Sequence, residues 1–272
     1  MTLLAGVIGD PIAHSLSPRL HGHWLSRYRI SGHYVPLRVT SEDLGTVLGL
    51  LPKMGFRGIN VTIPHKEAVF TLADIRTERA EAVQAANTLT FADGKLHADN
   101  TDGLGLLASL QAGASDWSQN RPALVLGAGG AARGIVAALL HAGVPEVTVA
   151  NRTVERAAVL QSQFGPKVAA VPLSGIGELL SRQGLVVNTT SLGMQGQPAL
   201  DMDLADLPKD AVVTDIVYAP LETPLLRQAK SLGLRTVDGL GMLLHQAAPG
   251  FAQWFGQRPE VDDALRKAVL AQ

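Results

Sequence analysis

A glycine-rich turn between an apolar run and a helical pattern most constrains how this chain can fold. Residues 124–126 are apolar, and apolar residues recur at helical spacing between positions 135 and 140. The pattern predicts a strand, a tight turn and a helix, with Gly127, Gly129 and Ala132 at the G-x-G-x-x-G/A positions of a dinucleotide-binding unit. Gly127 permits the sharp turn, Gly129 leaves room for a pyrophosphate, and the small Ala132 lets the helix lie close to the strand. A tight β–α turn that binds no ligand would show the same glycines.

The start of the predicted helix is also suited to a phosphate group. The first N–H groups of a helix lack intrahelical partners, and the helix dipole favours negative charge near them. We therefore expect the turn to contact a dinucleotide cofactor through Gly127, Ala128, Gly129, Gly130 and Ala131.

The end of the next predicted strand indicates which dinucleotide would bind. Residues 147–150 read as a buried strand, and Asn151, Arg152 and Thr153 follow it. NAD-binding units usually place an acidic residue here for the ribose 2′-hydroxyl, whereas the guanidinium groups of Arg152 and Arg156 suit a 2′-phosphate. Thr153 is a candidate N-cap, which would bring the positive end of a helix to the same place. We therefore expect NADP; the alternative is an exposed basic start of a helix.

Strands and helices alternate through the second half of the chain, which predicts a parallel, doubly wound sheet. Residues 189–194 follow the carboxyl end of one of these strands, where such sheets bind ligands. The further strands are predicted at residues 167–171, 184–188, 211–216 and 234–237.

The first half has its own strands and helices. Asp93-Gly94 lies between two runs of strand character and predicts a β-hairpin. Strands are predicted at residues 5–9, 33–39 and 58–63, and helices at residues 41–51, 66–72 and 76–84.

Four polar residues of the first half are candidates for a site, and each also has a structural interpretation. Ser17 before Pro18 is a good N-cap, and Ser15 fits an ordinary loop. Lys66 stands in the first turn of a predicted helix, where the dipole disfavours a cation, so it is either solvated or functional. Asp102 either caps the following helix or takes part in chemistry.

Residues 239–255 predict a helix with one apolar stripe, and with a bend at Pro249-Gly250. Gly239, Met242 and Gln246 fall on a different face. That face either meets a ligand or is a partly exposed side of the helix. A last amphipathic helix is predicted at residues 261–270.

Composition excludes several classes of protein. The formal net charge of −1 implies no broad attraction to nucleic acid or to an anionic membrane. The chain has no cysteine, which excludes disulfides, thiol nucleophiles and cysteine-ligated zinc. The N-terminus lacks the features of a signal peptide, and no apolar run could span a bilayer, so we expect a cytoplasmic protein. The eight histidines, His21 and His23 included, show no metal-ligand spacing, and we expect no metal.

Taken together, the motifs of this chain resemble those of the shikimate dehydrogenase family, nearly end to end. Each motif is modest alone, but their joint occurrence in this order is specific. The stretches that carry the resemblance are Gly9-Asp10-Pro11-Ile12-Ala13-His14-Ser15-Leu16-Ser17-Pro18, Asn60-Val61-Thr62-Ile63-Pro64-His65-Lys66, Ala86-Asn87-Thr88, Asp99-Asn100-Thr101-Asp102-Gly103, Asn151-Arg152-Thr153 and Asp238-Gly239-Leu240-Gly241-Met242-Leu243.

The resemblance implies a two-domain α/β architecture with the active site in the cleft between the domains. A substrate domain would comprise residues 1–104 and 240–272, and a Rossmann-type NADP-binding domain residues 105–239. The implied reaction is the reversible, NADPH-dependent reduction of 3-dehydroshikimate to shikimate, a step towards chorismate and the aromatic amino acids. The implied partner is this small-molecule substrate. We expect no nucleic-acid partner and no membrane partner. The protein itself would be a monomer or a homodimer.

The resemblance also implies roles for individual residues. Lys66 and Asp102 would flank the carbon that exchanges hydride, and both would also touch the substrate. Further cofactor contacts would come from Ile216, Gly239 and Met242. The substrate's carboxylate and hydroxyls would be held by Ser15, Ser17, Thr62, Asn87, Tyr218 and Gln246.

The residue types suit this chemistry, because a hydroxyl proton must leave as hydride leaves carbon. A lysine transfers protons near neutral pH only where burial lowers its pKa, whereas a nearby carboxylate stabilises the ammonium ion. We therefore expect Lys66 to transfer the proton and Asp102 to orient Lys66 and the substrate hydroxyl. Stabilisation of developing charge on oxygen by Lys66 is the alternative.

Three other functions fit part of the pattern. A quinate/shikimate dehydrogenase of the same fold would typically use NAD, and Arg152 and Arg156 argue against it. A non-catalytic dinucleotide sensor would not need both Lys66 and Asp102. A methyltransferase could share the glycine turn, but Arg152 would then have no evident role.

Overall fold

The computed structural model describes residues 2–271, which divide into two compact units. The first unit comprises the residues up to Thr101 together with those from Leu244 onwards, and the second comprises Asp102–Leu243. Each unit contains its own six-stranded sheet.

The first unit is an α/β layer built on a mixed sheet with the strand order β2-β1-β3-β5-β6-β4. Its apolar core lies on strands β1, β3 and β5 and the helices packed on them. The elements are β1 (Leu3–Gly9), α1 (Ser17–Arg27), β2 (Gly32–Arg38), α2 (Leu44–Leu50), β3 (Phe56–Val61), α3 (Lys66–Leu72), β4 (Ile75–Arg76), α4 (Glu78–Val83), β5 (Thr88–Ala92) and β6 (Lys95–Asp99), with a 3-10 helix at Pro52–Met54.

Strand direction in this sheet brings distant segments to one edge. Strands β1, β2 and β3 are parallel, and β5 runs antiparallel to β3. The amino end of β5 therefore lies beside the carboxyl end of β3, and the Val61 N–H donates to the Asn87 carbonyl at 2.8 Å. The segments that follow β1 and β3 and the segment that precedes β5 thus share the edge where parallel strands expose binding residues.

The second unit is a fully parallel sheet with the strand order β12-β11-β10-β7-β8-β9. This is the doubly wound order of a dinucleotide-binding fold, in which the order reverses between β7 and β10. The elements are α5 (Asp102–Gly113), β7 (Ala123–Leu126), α6 (Gly130–His141), β8 (Val147–Asn151), α7 (Val154–Phe164), β9 (Val168–Pro172), β10 (Leu185–Asn188), β11 (Val212–Asp215), α8 (Pro224–Ser231) and β12 (Arg235–Val237), with 3-10 helices at Leu173–Gly175 and Gly177–Arg182.

Two helices complete the chain, α9 (Gly239–Phe255) and α10 (Asp263–Leu270). Helix α9 continues across Pro249 as one helical element. Helix α10 begins two residues later than the pattern indicates, because the Asp262 side chain caps it by accepting from the Leu265 N–H at 2.9 Å. Within the first unit, Arg27 of α1 pairs with Asp262 at 2.6 Å and with Glu260 at 2.8 Å, which fixes the approach to α10.

Two helix predictions in the first half need correction. The predicted helix over residues 41–51 is shorter in the structure, and Arg76, which was predicted to start the helix over residues 76–84, lies in strand β4 instead. Arg76 pairs with Ala98 of β6 in that strand, and helix α4 starts only after Thr77, whose hydroxyl accepts from the Ala80 N–H. Pairing along the sheet edge therefore overrides the local helical pattern.

A cluster of buried aromatic rings in the first unit combines side chains of α1, β2 and α9. The His21 imidazole stacks on the Tyr34 ring, with 3.8 Å between ring centroids and 3° between planes. Trp24, Phe251 and Trp254 surround the pair. His21 is fully buried, which lowers its pKa to about 3, and a contact with the Asn60 side chain offsets only part of that effect. The histidine is therefore neutral in the folded protein.

This burial predicts a stability that falls in mild acid. The unfolded chain takes up a proton on His21 near pH 6.5, whereas the folded protein does so only near pH 3. The free energy of unfolding should therefore fall by about 1.4 kcal/mol per pH unit below about pH 6 from this residue alone. Urea unfolding at pH 7.5 and at pH 5.0 measures the change, and the variant His21→Leu should lose this part of it.

The control for that measurement is His245, which is half-buried and whose pKa burial also lowers. His245→Gln should remove a smaller part of the pH dependence than His21→Leu does. An unchanged pH dependence in His21→Leu would contradict the assignment to His21.

Candidate active site

The two serines that follow β1 differ from the predicted arrangement. Helix α1 begins at Ser17, the N-cap position belongs to Leu16, and no side chain caps there. The expectation that Ser17 acts as the N-cap is therefore wrong. The Ser17 N–H instead donates to the Ser15 Oγ at 3.3 Å, and the buried Ser17 side chain contacts the Tyr34 hydroxyl.

Thr62 and Lys66 follow β3 at the same edge of the sheet. The Thr62 N–H donates to the Ile8 carbonyl at 3.0 Å, which joins the ends of β1 and β3. Lys66 is the first residue of α3, as the sequence predicts, and it is partly buried. Its carbonyl accepts from the Ala86 N–H at 2.8 Å, so the start of α3 is fixed beside the segment that leads into β5.

Asn87 and Gln246 meet directly, although they are 159 residues apart. The Asn87 Nδ2 donates to the Gln246 Oε1 at 3.0 Å. The Asn87 Oδ1 accepts from the Thr101 N–H at 2.9 Å, and the Thr101 hydroxyl donates to the Gln246 carbonyl at 2.8 Å. Gln246 is only 9 % exposed, so the alternative of a partly exposed helix face is wrong for this residue.

The loop that leads to Asp102 is held by a carboxylate that sequence reasoning missed. Asp99 is buried and accepts from Arg79 Nη2 at 2.6 Å, from the Thr77 hydroxyl at 2.7 Å and from the Asn100 N–H at 2.7 Å. Asp102 itself is the first residue of α5 and is 4 % exposed. The motif at residues 99–102 was the available signal, but nothing in its sequence indicates that Asp99 is the aspartate that holds the loop.

In the second unit, the glycine turn lies where the strand order reverses. Gly127 has a φ of +104°, and a Cβ there would lie 2.6 Å from the Thr189 Oγ1, in the loop after β10. The predicted need for glycine at this position is confirmed. A Cβ at Gly129 would meet nothing within 4 Å, so the space in front of the helix start is open. Ala132 is fully buried in the core beneath the turn.

The two arginines predicted at the end of β8 are both exposed at the start of α7. Thr153 occupies the N-cap position but its side chain makes no capping hydrogen bond, so the predicted capping role is wrong. The Asn151 Nδ2 donates to the Thr153 carbonyl at 2.8 Å and shapes this turn. Arg152 precedes the helix and Arg156 lies in its first turn, which leaves both guanidinium groups accessible to an anion.

The loop after β11 carries Ile216 and Tyr218 and is anchored by the fully buried Asp215. Burial raises the pKa of Asp215, and hydrogen bonds from Val217, Thr223 and Asn188 lower it in part. The Thr223 hydroxyl donates to this carboxylate at 2.7 Å and the Val217 N–H at 3.0 Å. These bonds fix the backbone next to Tyr218, which is itself partly buried.

Gly239 and Met242 lie within the second unit and are closely packed there. A Cβ at Gly239 would lie 2.5 Å from the carbonyl oxygens of Ile216 and Val217, so only glycine permits this approach. Met242 is 7 % exposed and belongs to the apolar core of the second unit. The alternative of a partly exposed helix face is therefore wrong for these two residues as well. Only the small exposed part of the Met242 side chain is available to contact a cofactor.

Two features are absent from the described part of the chain: a cluster of residues that could hold a metal ion, and a helix that could span a membrane. No group of three or more histidine or acidic residues among residues 2–271 is placed to hold a metal ion. No helix in the same range has both the length and the apolar character to cross a membrane.

Comparison with known families decides the assignment. The model of the shikimate dehydrogenase substrate binding domain matches residues 7–89, and that of the shikimate / quinate 5-dehydrogenase matches residues 109–216. The model of the shikimate 5′-dehydrogenase C-terminal domain matches residues 239–270. The chain belongs to the shikimate dehydrogenase family.

Individual shikimate dehydrogenases resemble the chain over nearly its whole length. The shikimate dehydrogenase (NADP(+)) of Paracoccus denitrificans is 59% identical over 270 residues, which cover 98% of this chain and 96% of the relative. A second one, from Cereibacter sphaeroides, is also 59% identical over 270 residues, 98% of this chain and 97% of the relative.

Solved structures share the architecture of these dehydrogenases. The shikimate 5-dehydrogenase of Thermus thermophilus, in complex with NADP(H) and shikimate, has a TM-score of 0.88 and 38% identity, and the match covers 99% of this chain and 98% of that one. The quinate dehydrogenase of Corynebacterium glutamicum, in complex with NAD, has a TM-score of 0.90 and 31% identity, with 99% of each chain covered.

Proposed function

We propose that this protein catalyses the reversible, NADPH-dependent reduction of 3-dehydroshikimate to shikimate. The observation that carries the proposal is the 59% identity, over 98% of this chain, to a relative named shikimate dehydrogenase (NADP(+)). Conversion of 3-dehydroshikimate leads towards chorismate and the aromatic amino acids.

The polar groups of the first unit suit a substrate that carries a carboxylate and several hydroxyls. Ser15, Ser17 and Thr62 supply hydroxyls, and the paired amides of Asn87 and Gln246 supply both donors and acceptors. Four of these residues lie at the edge of the sheet where β1 and β3 end and β5 begins, and Gln246 is bonded to Asn87. We propose that these five side chains, with Tyr218 of the second unit, bind the substrate.

Proton transfer in the proposed reaction falls to Lys66. NADPH supplies the hydride when it is bound. As the carbonyl carbon is reduced, its oxygen gains negative charge and needs a proton, which an ammonium group can donate. Lys66 is partly buried at the start of α3 and is fixed there through its backbone, so its side chain starts from a defined position. We assign to Asp102 the orientation of Lys66 and of the substrate hydroxyl.

The second unit fits NADP by its own features. The space in front of Gly129 is open, and the helix α6 that follows presents free N–H groups to a pyrophosphate. Arg152 and Arg156 are exposed at the end of the neighbouring strand, where a guanidinium group pairs with a 2′-phosphate. We propose that these residues hold the cofactor together with Ala128, Gly130, Ala131, Asn151, Thr153, Ile216, Gly239 and Met242.

The direct test is formation of shikimate from 3-dehydroshikimate. The purified protein is incubated with 3-dehydroshikimate and NADPH, nicotinamide absorbance is followed, and the product is identified by chromatography against authentic shikimate. We expect one shikimate for each NADPH oxidised and no oxidation without substrate. NADPH that remains unoxidised at every substrate concentration would contradict the proposal.

Two finer properties are also proposed. The enzyme acts as a monomer or homodimer, which sedimentation velocity of the purified protein tests. It works in the cytoplasm, which accords with a chain that has no cysteine for disulfides, and cell fractionation tests this.

A further inference from the structure

A buried chain of hydrogen bonds in the first unit connects side chains that the proposed function assigns to the substrate. The Tyr34 hydroxyl donates to the Asn60 Oδ1 at 2.8 Å, and the Asn60 Nδ2 donates to the Asn87 carbonyl at 3.1 Å. Asn87 is bonded in turn to Gln246 at 3.0 Å. All four residues are buried, so these bonds are not exchanged with bulk water.

The same tyrosine hydroxyl reaches Ser17 on its other side. The Ser17 side chain, 6 % exposed, contacts the Tyr34 hydroxyl, and Tyr34 itself is 7 % exposed. One oxygen atom therefore joins Ser17, after β1, to Asn60 of β3 and through it to Asn87 and Gln246.

The tyrosine ring is held in place independently of the substrate. It stacks on the His21 imidazole at 3.8 Å between centroids, and Trp254 packs at 6.3 Å. Burial raises the pKa of Tyr34 well above its usual value, so the hydroxyl keeps the proton it donates to Asn60 throughout the neutral range. A neutral His21 adds no charge to this environment. The hydroxyl thus has a fixed position and a fixed donor role.

We propose that Tyr34 is a positioning residue for the substrate: its hydroxyl, on a rigid ring, holds the Ser17 side chain by direct contact and the backbone of Asn87 through Asn60. This inference rests on the proposed function, since it takes Ser17 and Asn87 to be substrate ligands. Tyr34 lies in β2, an edge strand that pairs with β1, and it acts only through its neighbours.

The substitution Tyr34→Phe tests this, because it removes the hydroxyl and keeps the ring and its stack on His21. Loss of one hydrogen bond should raise the dissociation constant and KM of shikimate about 3- to 10-fold. The dissociation constant of NADP⁺ should not change, and kcat should change by less than about twofold. Isothermal titration with shikimate and initial rates give these values.

The matched control is Tyr28→Phe, in the same unit. The Tyr28 hydroxyl accepts from the Glu260 N–H at 2.9 Å, at the segment that precedes α10. This variant also loses one hydrogen bond, so its melting temperature should fall, but its affinity for shikimate should match that of the wild type.

A double substitution shows whether Tyr34 acts through Ser17. Tyr34→Phe changes the logarithm of Kd for shikimate by a certain amount in the wild type. In a Ser17→Ala background, the same substitution should change it by less than half of that amount. Full additivity would overturn the proposed coupling.

A Tyr34→Phe variant with a lower melting temperature and unchanged shikimate affinity would show a purely structural role and would overturn the inference, with the proposed function intact. A wild-type protein that fails to bind shikimate would overturn the proposed function and this inference with it.

Discussion

Replacing Lys66 with alanine is expected to lower kcat for shikimate oxidation about 10²- to 10⁴-fold, the range typical for loss of a general acid–base group. The variant has no group at this position to exchange a proton with the substrate oxygen. The dissociation constants of shikimate and NADP⁺ should stay within about threefold, because the other proposed ligands remain. Initial rates at saturating substrates and titration calorimetry measure the two effects separately.

Two further variants sharpen that experiment. Lys53→Ala is the matched control, since Lys53 lies exposed in the 3-10 helix Pro52–Met54, outside the proposed site, and its loss should leave kcat unchanged. Lys66→Arg keeps the positive charge but cannot give up its proton. If this variant retained most of the wild-type kcat, Lys66 would stabilise charge on oxygen and would not transfer the proton. A kcat for Lys66→Ala within about threefold of wild type would remove Lys66 from the chemistry altogether.

Removal of Arg152 should have the second-largest effect, on the choice of cofactor. A charge-assisted hydrogen bond contributes about 1.5–3 kcal/mol, so Arg152→Ala should lower the preference for NADP⁺ over NAD⁺ about 10- to 100-fold. Arg156→Ala should act in the same direction, because both guanidinium groups are exposed at the start of α7. The values of kcat/KM with each cofactor, at one fixed ionic strength, give this ratio.

The control for the cofactor experiment is Arg182→Ala. Arg182 is also an exposed arginine of the second unit, but it pairs with Glu146 at 2.8 Å. Its loss should leave the ratio of the two kcat/KM values unchanged. An equally unchanged ratio in Arg152→Ala would mean that the 2′-phosphate is recognised elsewhere.

The sequence predicted best where a local rule decides the structure. The turn at Gly127 was predicted from its glycines, and its φ of +104° confirms that requirement. The hairpin at Asp93-Gly94 is confirmed by positive φ values at both residues. Helix α3 starts and ends as its pattern indicates. Each of these depends on a few neighbouring residues and needs no knowledge of the tertiary fold.

Prediction failed where contacts between distant segments decide the outcome. Ser17 has the sequence of an N-cap, but its side chain contacts Tyr34, so the structural interpretation from sequence was wrong. Tyr34 and Asn60 lie in strands whose pairing order is set by the whole sheet, and although Asn60 begins one of the motifs that carry the resemblance, nothing in that motif indicates Tyr34 as its partner. Their hydrogen bond could not be predicted from residues spaced 26 apart along the chain.

The central claim is tested most directly by initial rates of the wild-type protein with four substrate pairs, shikimate or quinate, each with NADP⁺ or NAD⁺. We predict efficient turnover with shikimate and NADP⁺ alone. Turnover chiefly with quinate and NAD⁺ would contradict the assignment and show that Arg152 does not select the cofactor. An absence of turnover with all four pairs, in a protein that binds NADP⁺, would contradict an enzymatic role in this reaction.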